Sequence, residues 1–165
     1  MANLITKTDI EANCRPCTAQ DALVDRCIEE AQNLDIIPAI GADLWLQLPN
    51  ANDAYLNTLW LGGTWTDTCG NKHIMAGLKK ALCYYSYARV VRSSGGVSTR
   101  FDFVVKADQY SDSADLKAKT MAYNEAFATA DGYKAQCLAY INEHDGCATK
   151  RKLKNNRISI KKIGY

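Results

Sequence analysis

Two cysteines stand three residues apart near the N-terminus, in the sequence Cys14-Arg15-Pro16-Cys17. In thiol–disulfide proteins a CxxC pair of this kind lies at a strand-to-helix turn of a βαβ unit, and the surrounding sequence predicts no such unit. In zinc sites the pair is completed by further ligands. Cys69 and His73 offer the best supply, which would make a Cys3His site. We keep zinc as an alternative and expect no cofactor.

The other cysteines predict packing more than chemistry. The chain contains seven cysteines, an odd number, and Cys27, Cys83 and Cys137 fall within helical patterns. The N-terminus has no apolar stretch typical of a secretory signal, and disulfides are rare in proteins kept in a cytosol. We therefore expect synthesis in a cytosol and reduced thiols that act as small apolar side chains.

Histidines and carboxylates give no catalytic pattern. His73 and His144 are far apart in the sequence, and each is expected at a helix end. His144 suits a helix C-terminus, where positive charge is favourable. The acidic residues at positions 21, 25, 29 and 30 follow the exposed side of a predicted helix, and no GxSxG, P-loop, GxGxxG, HExxH or EF-hand motif is present. The sequence therefore predicts no catalytic residues and no enzyme activity.

Charge is divided unevenly along the chain. Residues 150–165 contain seven lysines and arginines and no acidic residue, so the remaining chain has a net charge of −5 within a total of +2. A basic terminus on an acidic body indicates a partner-binding segment. Its isoleucines are spaced to add as a strand to the edge of a partner's sheet. The predicted partner-binding residues are Lys150, Arg151, Lys152, Lys154, Arg157, Ile158, Ile160, Lys161, Lys162 and Ile163.

A central helix is predicted over Lys72–Ser94. Its spacing places Ile74, Leu78, Leu82 and Tyr85 on one face. Apolar residues surround the middle of this helix, so it must be covered from several directions, either at the centre of a small bundle or against a neighbouring subunit. The residues assigned to this core or interface helix are Leu78, Leu82, Tyr85, Tyr87 and Arg89.

Tyrosines recur within the helical patterns. Base stacking would require them on a sheet or groove with lysines interleaved, whereas helical spacing favours packing in the core or between subunits. The tyrosines assigned to such packing are Tyr84, Tyr85, Tyr87, Tyr123, Tyr133 and Tyr140.

Four further helices surround the central one. Residues 1–8 are expected to form an extended lead-in, and a helix follows from Thr18, whose hydroxyl has an acid three residues later as in a capping box. The last helix would be about 50 Å long at 1.5 Å per residue. The predicted helices are Thr18–Leu34, Ala42–Leu48, residues 53–61 and Ser111–His144.

The segment after the central helix alternates apolar and polar residues, which predicts a short hairpin or extended arm over about residues 97–108. No apolar stretch approaches the ~20 residues that a transmembrane helix needs. The fold class is therefore mainly α: a small helical bundle with two long helices, a short β-hairpin or arm and an extended C-terminal tail. Residues 1–149 form the helical domain, and residues 150–165 form the basic tail.

The order of these elements resembles that of the head–tail connector proteins of tailed bacteriophages, also called adaptor or ring proteins. The chain is most similar to those of phages of gut Bacteroidetes. The similarity extends over most of residues 5–144 and leaves the tail without a counterpart. The residues that carry it are Ile28–Leu48, especially Pro38, Gly41, Asp43, Leu44 and Leu48, and then Leu82, Tyr85, Tyr87, Arg89 and Gly96-Val97.

The resemblance implies a structural virion protein that performs no chemistry. Such proteins form a ring, commonly of twelve copies, beneath the portal and join the DNA-filled head to the tail. Phe101, Phe103 and Val105 would then contact the adjacent subunit or line the ring. The tail would bind the portal or the next ring, or approach the passing DNA. The expected location is the neck of the virion, after synthesis in the host cytoplasm, with no membrane partner.

Two other functions remain open from the sequence. A small helical nucleic-acid-binding protein could use the basic tail, with salt-sensitive phosphate contacts. A zinc- or thiol-dependent enzyme could use the Cys14–Cys17 pair. The sequence does not decide whether the tail meets protein or DNA.

Overall fold

The computed structural model of the protein describes residues 2–50, 53–94, 96–98, 103–105 and 116–144. These ranges are mostly helical, as the sequence predicted. A π-helical segment, Gln32–Ile36, follows α2, and a 3₁₀ turn, Leu48–Asn50, follows α4. The helices and strands are α1 (Lys7–Asn13), α2 (Asp21–Ala31), α3 (Ile37–Ile40), α4 (Ala42–Gln47), α5 (Ala54–Leu61), β1 (Gly63–Thr66), β2 (Lys72–Met75), α6 (Leu78–Ser93), β3 (Gly96–Ser98), β4 (Phe103–Val105) and α7 (Leu116–His144).

Helix α6 occupies the centre of the bundle, with α1, α2, α5 and α7 packed around it. Leu78, Leu82 and Tyr85 are completely buried. Of the two arrangements that the sequence left open, the structure shows the first: helices of the same chain cover α6. The apolar residues around α6 are therefore no evidence that this helix packs against a neighbouring subunit.

The two long helices, α6 and α7, run antiparallel. The backbone N–H of Ala76, just before α6, donates a hydrogen bond to the Gln136 side chain at 3.2 Å. Near the other end of α6, the Arg92 guanidinium lies over the ring of Tyr123, 5.5 Å from its centre. Contacts thus move toward the N-terminus of α7 as α6 proceeds. With 29 residues, α7 is about 43 Å long at 1.5 Å per residue.

The N-terminal segment is fastened to the bundle by a buried amide. The Gln32 side chain is fully buried, and its Oε1 accepts a hydrogen bond from the Leu4 backbone N–H at 2.8 Å. Helix α1 begins at Lys7, where Thr6 and Asp9 form a capping box. Because α1 starts inside it, the predicted extended lead-in over residues 1–8 is too long.

The central helix begins at Leu78 and not at Lys72. Residues Lys72–Met75 form β2, which pairs antiparallel with β1, and Gly77 at φ 87° separates β2 from α6. Ile74, predicted in the helix core, is 81% exposed. The β-branched and aromatic residues of β1 favour a strand, and pairing with them overrides the helical spacing of the sequence KHIM.

The other predicted helix boundaries differ less from those of the structure. Helix α2 starts at Asp21 after Gln20, which makes no side-chain capping bond, so the predicted cap at Thr18 is wrong. The predicted helices at Ala42–Leu48 and residues 53–61 are confirmed within a residue, as α4 and α5. The last helix is described from Leu116, and the predicted start at Ser111 lies outside the described residues.

Among the residues that the structure describes, no helix is both long enough and apolar enough to cross a bilayer.

Replacing Tyr85 by alanine tests the packing of α6 against α7. The Tyr85 ring meets Phe127 edge to face, with centroids 5.0 Å apart, and its hydroxyl donates to Asp131. We expect Tyr85→Ala to lower the free energy of unfolding by roughly 2–4 kcal/mol, because a large buried side chain is lost. Tyr85→Phe removes only the hydroxyl and should cost about 0.5–1.5 kcal/mol. Urea titration measures both.

The control for this pair is Met121→Ala, since Met121 is 63% exposed on the same helix pair. It should leave the urea midpoint nearly unchanged. A loss below about half a kcal/mol for Tyr85→Ala would contradict the assigned core face, since core truncations cost more.

A second pair of substitutions tests the junction between α5 and α6. Gly77 and Gly41 have nearly the same backbone angle, φ 87° and 90°. A Cβ at Gly77 would lie 2.6 Å from the Trp60 carbonyl oxygen, whereas a Cβ at Gly41 meets nothing within 4 Å. We expect Gly41→Ala to cost about 1–2 kcal/mol, from backbone conformation alone. Gly77→Ala should cost about 2–5 kcal/mol, because overlap adds to it. Equal losses in urea unfolding would contradict this close approach.

Candidate functional site

The segments predicted to make contacts outside the chain are attached to opposite ends of α7. The predicted arm, residues 97–108, precedes Leu116, the first residue of α7. The predicted tail, residues 150–165, follows His144, its last residue. The helix between these attachment points is about 43 Å long. We call the two ends of the bundle the arm end and the tail end.

At the arm end, β3 and β4 form an antiparallel pair, with Ser98 opposite Phe103 and Gly96 opposite Val105. This is the hairpin that the alternating sequence predicted. Phe101 lies outside the described residues. Contact of Phe103 and Val105 with an adjacent subunit stays a prediction, as does that of Phe101.

At the tail end, the β1–β2 hairpin packs its aromatic residues against the end of α7. Trp65 stacks on His73 with ring centres 4.5 Å apart, and Tyr140 meets Trp65 edge to face at 5.5 Å. His144 lies 4.1 Å from Tyr140, centre to centre. The two histidines, far apart in sequence, therefore belong to one cluster. His144 ends α7 as expected, but His73 lies in a strand and not at a helix end.

Asp67 organises the turn of the β1–β2 hairpin. Its carboxylate accepts hydrogen bonds from the backbone N–H groups of Cys69 at 3.0 Å and Asn71 at 2.8 Å, and it contacts His73 Nε2 at 3.0 Å. The hydrogen bond to His73 has the largest effect and the bonds to Asn71 the next largest, and together they hold the pKa of Asp67 well below its ordinary value. Hydrogen bonds of this kind favour the ionised form of a carboxyl group.

The same turn is bound to α7 by a second carboxylate. The Thr68 backbone N–H donates to Glu143 Oε1 at 2.6 Å, and the hydrogen bonds from Thr68 lower the pKa of Glu143. Together with the aromatic contacts, this bond fixes the hairpin to the last turn of α7. The tail, residues 150–165, lies beyond this point and outside the described residues.

The Cys3His zinc site, kept as an alternative from the sequence, does not assemble. The residues described include Cys14, Cys17, Cys69 and His73, and no group of three or more metal-binding side chains occurs among them, so the Cys3His arrangement is wrong. Burial raises the pKa of Cys14 to about 11 and the pKa of Cys83 to about 12. These two thiols are protonated at neutral pH and are poor nucleophiles.

Arg89, assigned to the core or interface helix, is used inside the bundle. Its Nη2 lies 2.7 Å from Asp35 Oδ2, and its Nη1 lies 3.6 Å from Glu30 Oε2. The guanidinium thus joins α6 to α2 and to the π-helical segment. Tyr87, in the same set, is half-buried and packs against the core.

The side chain of Tyr85 ends in a polar network. The Asp131 carboxylate accepts from Tyr85 and lies 2.8 Å from the Lys134 ammonium. Burial raises the pKa of Asp131, but the hydrogen bonds from Lys134 and Tyr85 outweigh burial, and the pKa is lowered overall. Burial, with the bond to Asp131, raises the pKa of Tyr85. The buried hydroxyl is thereby satisfied, as a packed tyrosine requires.

Sequence reasoning missed a groove at the arm end. A cavity of about 560 Å³ lies between α2, α6 and α7 and adjoins a second cavity of about 360 Å³. The two share Arg92 and Tyr123. The residues that line the groove come from three helices that are far apart in the sequence, so no short sequence motif could have indicated the groove. The charged residues and tyrosine that line it are Arg26, Glu30, Arg89, Arg92, Lys119 and Tyr123.

Comparison with known families adds one finding. Residues 36–154 match a family described as a family of unknown function, DUF6712. The chain belongs to this family. No curated protein and no solved structure matches the chain. The matched region begins at Ile36, the last residue of the π-helical segment, and contains both hairpins and both long helices.

The Asp67 turn predicts a pH dependence of stability. A carboxylate whose pKa is lowered in the folded state stabilises the fold above its unfolded pKa of about 4, and this contribution is lost as the pH falls toward the folded pKa. We expect Asp67→Asn to be less stable than the wild type at neutral pH, with a difference that shrinks on acidification below about pH 4. Thermal unfolding followed across pH measures it.

Asp43→Asn is the matched control, because Asp43 is exposed and its carboxylate makes none of the ion pairs found among the described residues. Its unfolding temperature should follow that of the wild type at every pH. A stability difference for Asp67→Asn that is constant from neutral to strongly acidic pH would contradict the lowered pKa.

Proposed function

We propose that the protein is a structural virion subunit, a head–tail connector or adaptor. In this proposal, copies form a ring beneath the portal, of twelve members by the resemblance, and join the DNA-filled capsid to the tail. The observation that carries the proposal is that the predicted arm and the predicted tail adjoin opposite ends of the 29-residue helix α7 along the chain. A protein that joins a structure above it to a structure below it needs this separation.

The bundle supports the proposal by being complete in one chain. Because α6 is covered by helices of its own chain, a copy can fold before it assembles. Assembly would then depend on the arm and the tail and not on the exchange of core helices. This division also explains why a protein of 165 residues can keep a full core and still carry two segments for contacts.

The tail would act at one of two places. Its alternating isoleucines suit strand addition to a sheet edge on the portal or the next ring. Alternatively, its cations would face passing DNA and bind phosphate without sequence selectivity. In either case the ring repeats the same weak contact in every copy, and linked contacts of this kind bind far more tightly than one.

The proposal includes no enzyme activity. One observation supports this part of the proposal: burial raises the pKa of Cys14 to about 11, which makes this thiol a poorer nucleophile than a free cysteine. The supposed fourth zinc ligand, His73, instead contacts Asp67 in the hairpin turn.

The alternative is a small nucleic-acid-binding protein that uses the basic tail. This alternative requires that a single copy binds DNA, whereas the connector proposal requires that copies assemble into a ring. Salt-sensitive binding of DNA by the monomer, with no ring and no affinity for a portal protein, would favour it.

The tail gives the sharpest test. In one variant, the seven tail lysines and arginines are replaced by glutamine; in a second, the order of residues 150–165 is scrambled at constant composition. We expect both to unfold at the wild-type temperature, because the described helices already pack into a core around α6. Binding to a portal protein, measured by sedimentation, should be lost in the glutamine variant.

The scrambled tail is the control for charge alone, since it keeps every cation and breaks the isoleucine spacing. Strand addition predicts weaker portal binding for this variant, and a purely electrostatic tail predicts binding like the wild type. Global unfolding of either variant, or unchanged assembly of the glutamine variant, would contradict the proposed role of the tail.

A further inference from the structure

The groove at the arm end has walls of regular helix on three sides. Arg26 lies on α2, Arg92 near the C-terminal end of α6, and Lys119 one turn before Tyr123 on α7. Cys27 is buried at this wall of α2. Three packed helices fix the backbone positions that carry these side chains, so binding has to order the side chains but not the backbone.

The cationic side chains of the groove differ in whether a carboxylate of the same chain is paired with them. Arg89 is paired with Asp35 and lies close to Glu30. Across the part of the chain that the structure describes, no carboxylate lies within ion-pair distance of Arg26, Arg92 or Lys119. Arg92 instead covers one face of the Tyr123 ring. Among the described residues, four cations and one carboxylate thus line the groove, and three of these cations have no ion pair with a described carboxylate.

We propose that this groove binds an acidic segment of a partner protein, one that presents two or more aspartate or glutamate side chains. Each guanidinium can hold a carboxylate by two parallel hydrogen bonds. Arg26 and Arg92 face the first cavity together, and Lys119 extends the positive charge into the second. Charge complementarity along the two joined cavities therefore fits an extended acidic peptide.

Nucleic acid fits this groove less well. Glu30 lies within it, and Asp25 and Glu29 are exposed on the same helix, α2. These carboxylates would repel a backbone that carries a charge at every phosphate. Tyr123 does not offer a free face for base stacking, since Arg92 lies over its ring and Phe127 is 5.5 Å away, centre to centre. A peptide with a few carboxylates needs no free ring face, and these acidic residues repel it less than a chain that is charged at every phosphate.

The groove is independent of the proposed ring. Its residues belong to the helical bundle, whereas the proposed assembly depends on the arm and the tail. An acidic partner could therefore bind a single copy, and failure of ring formation would leave this inference standing.

Binding is tested on the full-length protein with a fluorescein-labelled peptide in which glutamate alternates with glycine. A peptide with glutamine in place of glutamate controls for charge, and labelled oligothymidylate represents nucleic acid. Fluorescence anisotropy gives the dissociation constants at fixed salt. The groove variant is Arg26→Ala with Arg92→Ala. The matched control is Arg15→Ala with Lys72→Ala, which removes two positive charges at exposed positions that line neither cavity.

We expect the wild type and the control variant to bind the glutamate peptide alike, and the groove variant to bind it about tenfold or more weakly, because two charge-assisted contacts are lost. Arg26→Lys with Arg92→Lys keeps the charge without the planar fork, and it should fall between the two. The glutamine peptide should not bind. Arg26 and Arg92 are exposed, so thermal unfolding should be unchanged.

Three outcomes would overturn the proposal. The wild type could fail to bind the glutamate peptide. The control variant could lose as much affinity as the groove variant, which would assign binding to general positive charge. Finally, oligothymidylate could bind more tightly than the peptide and lose that affinity in the groove variant, which would make the groove a nucleic-acid site.

Discussion

The structure depends on the packing of α6 against α7 around a fully buried tyrosine. The Tyr85 ring lies in the apolar layer between the two helices, and its hydroxyl reaches Asp131 at the edge of that layer. Lys134 lies over the same ring, 4.9 Å from its centre, and pairs with the same carboxylate. Tyr85 therefore fills the core and also fixes the rotation of α7 about its axis. This rotation determines which α7 side chains lie at each end of the bundle.

The two ends differ because of this antiparallel pairing. At the tail end, α7 finishes against the β1–β2 hairpin, where Trp65 and Glu143 hold the turn. At the arm end, α6 ends at Ser93 and α7 is described from Leu116. The basic groove lies there, between side chains of three helices. The proposed connector uses both ends, and the groove adds a surface for an acidic partner that does not depend on the arm or the tail.

Sequence periodicity predicted what local spacing determines. The helical class, the positions of α4 and α5, the β3–β4 hairpin and the core face of α6 from Leu78 onward all follow from short-range patterns. The β1–β2 hairpin did not, because KHIM has helical spacing and becomes a strand only through pairing with Gly63–Thr66. The groove could not be predicted either, since Arg26, Arg92 and Tyr123 converge only when α2, α6 and α7 pack together.

Oligomeric mass tests the central claim most directly, since a connector subunit must assemble with copies of itself. Native mass spectrometry of the full-length chain, over a range of protein concentrations, measures it without a partner. The proposed function requires a closed species that contains a fixed number of 18.2 kDa chains, twelve by the resemblance. A folded chain that stays at the mass of one copy at every concentration, and also with a portal protein added, would contradict it.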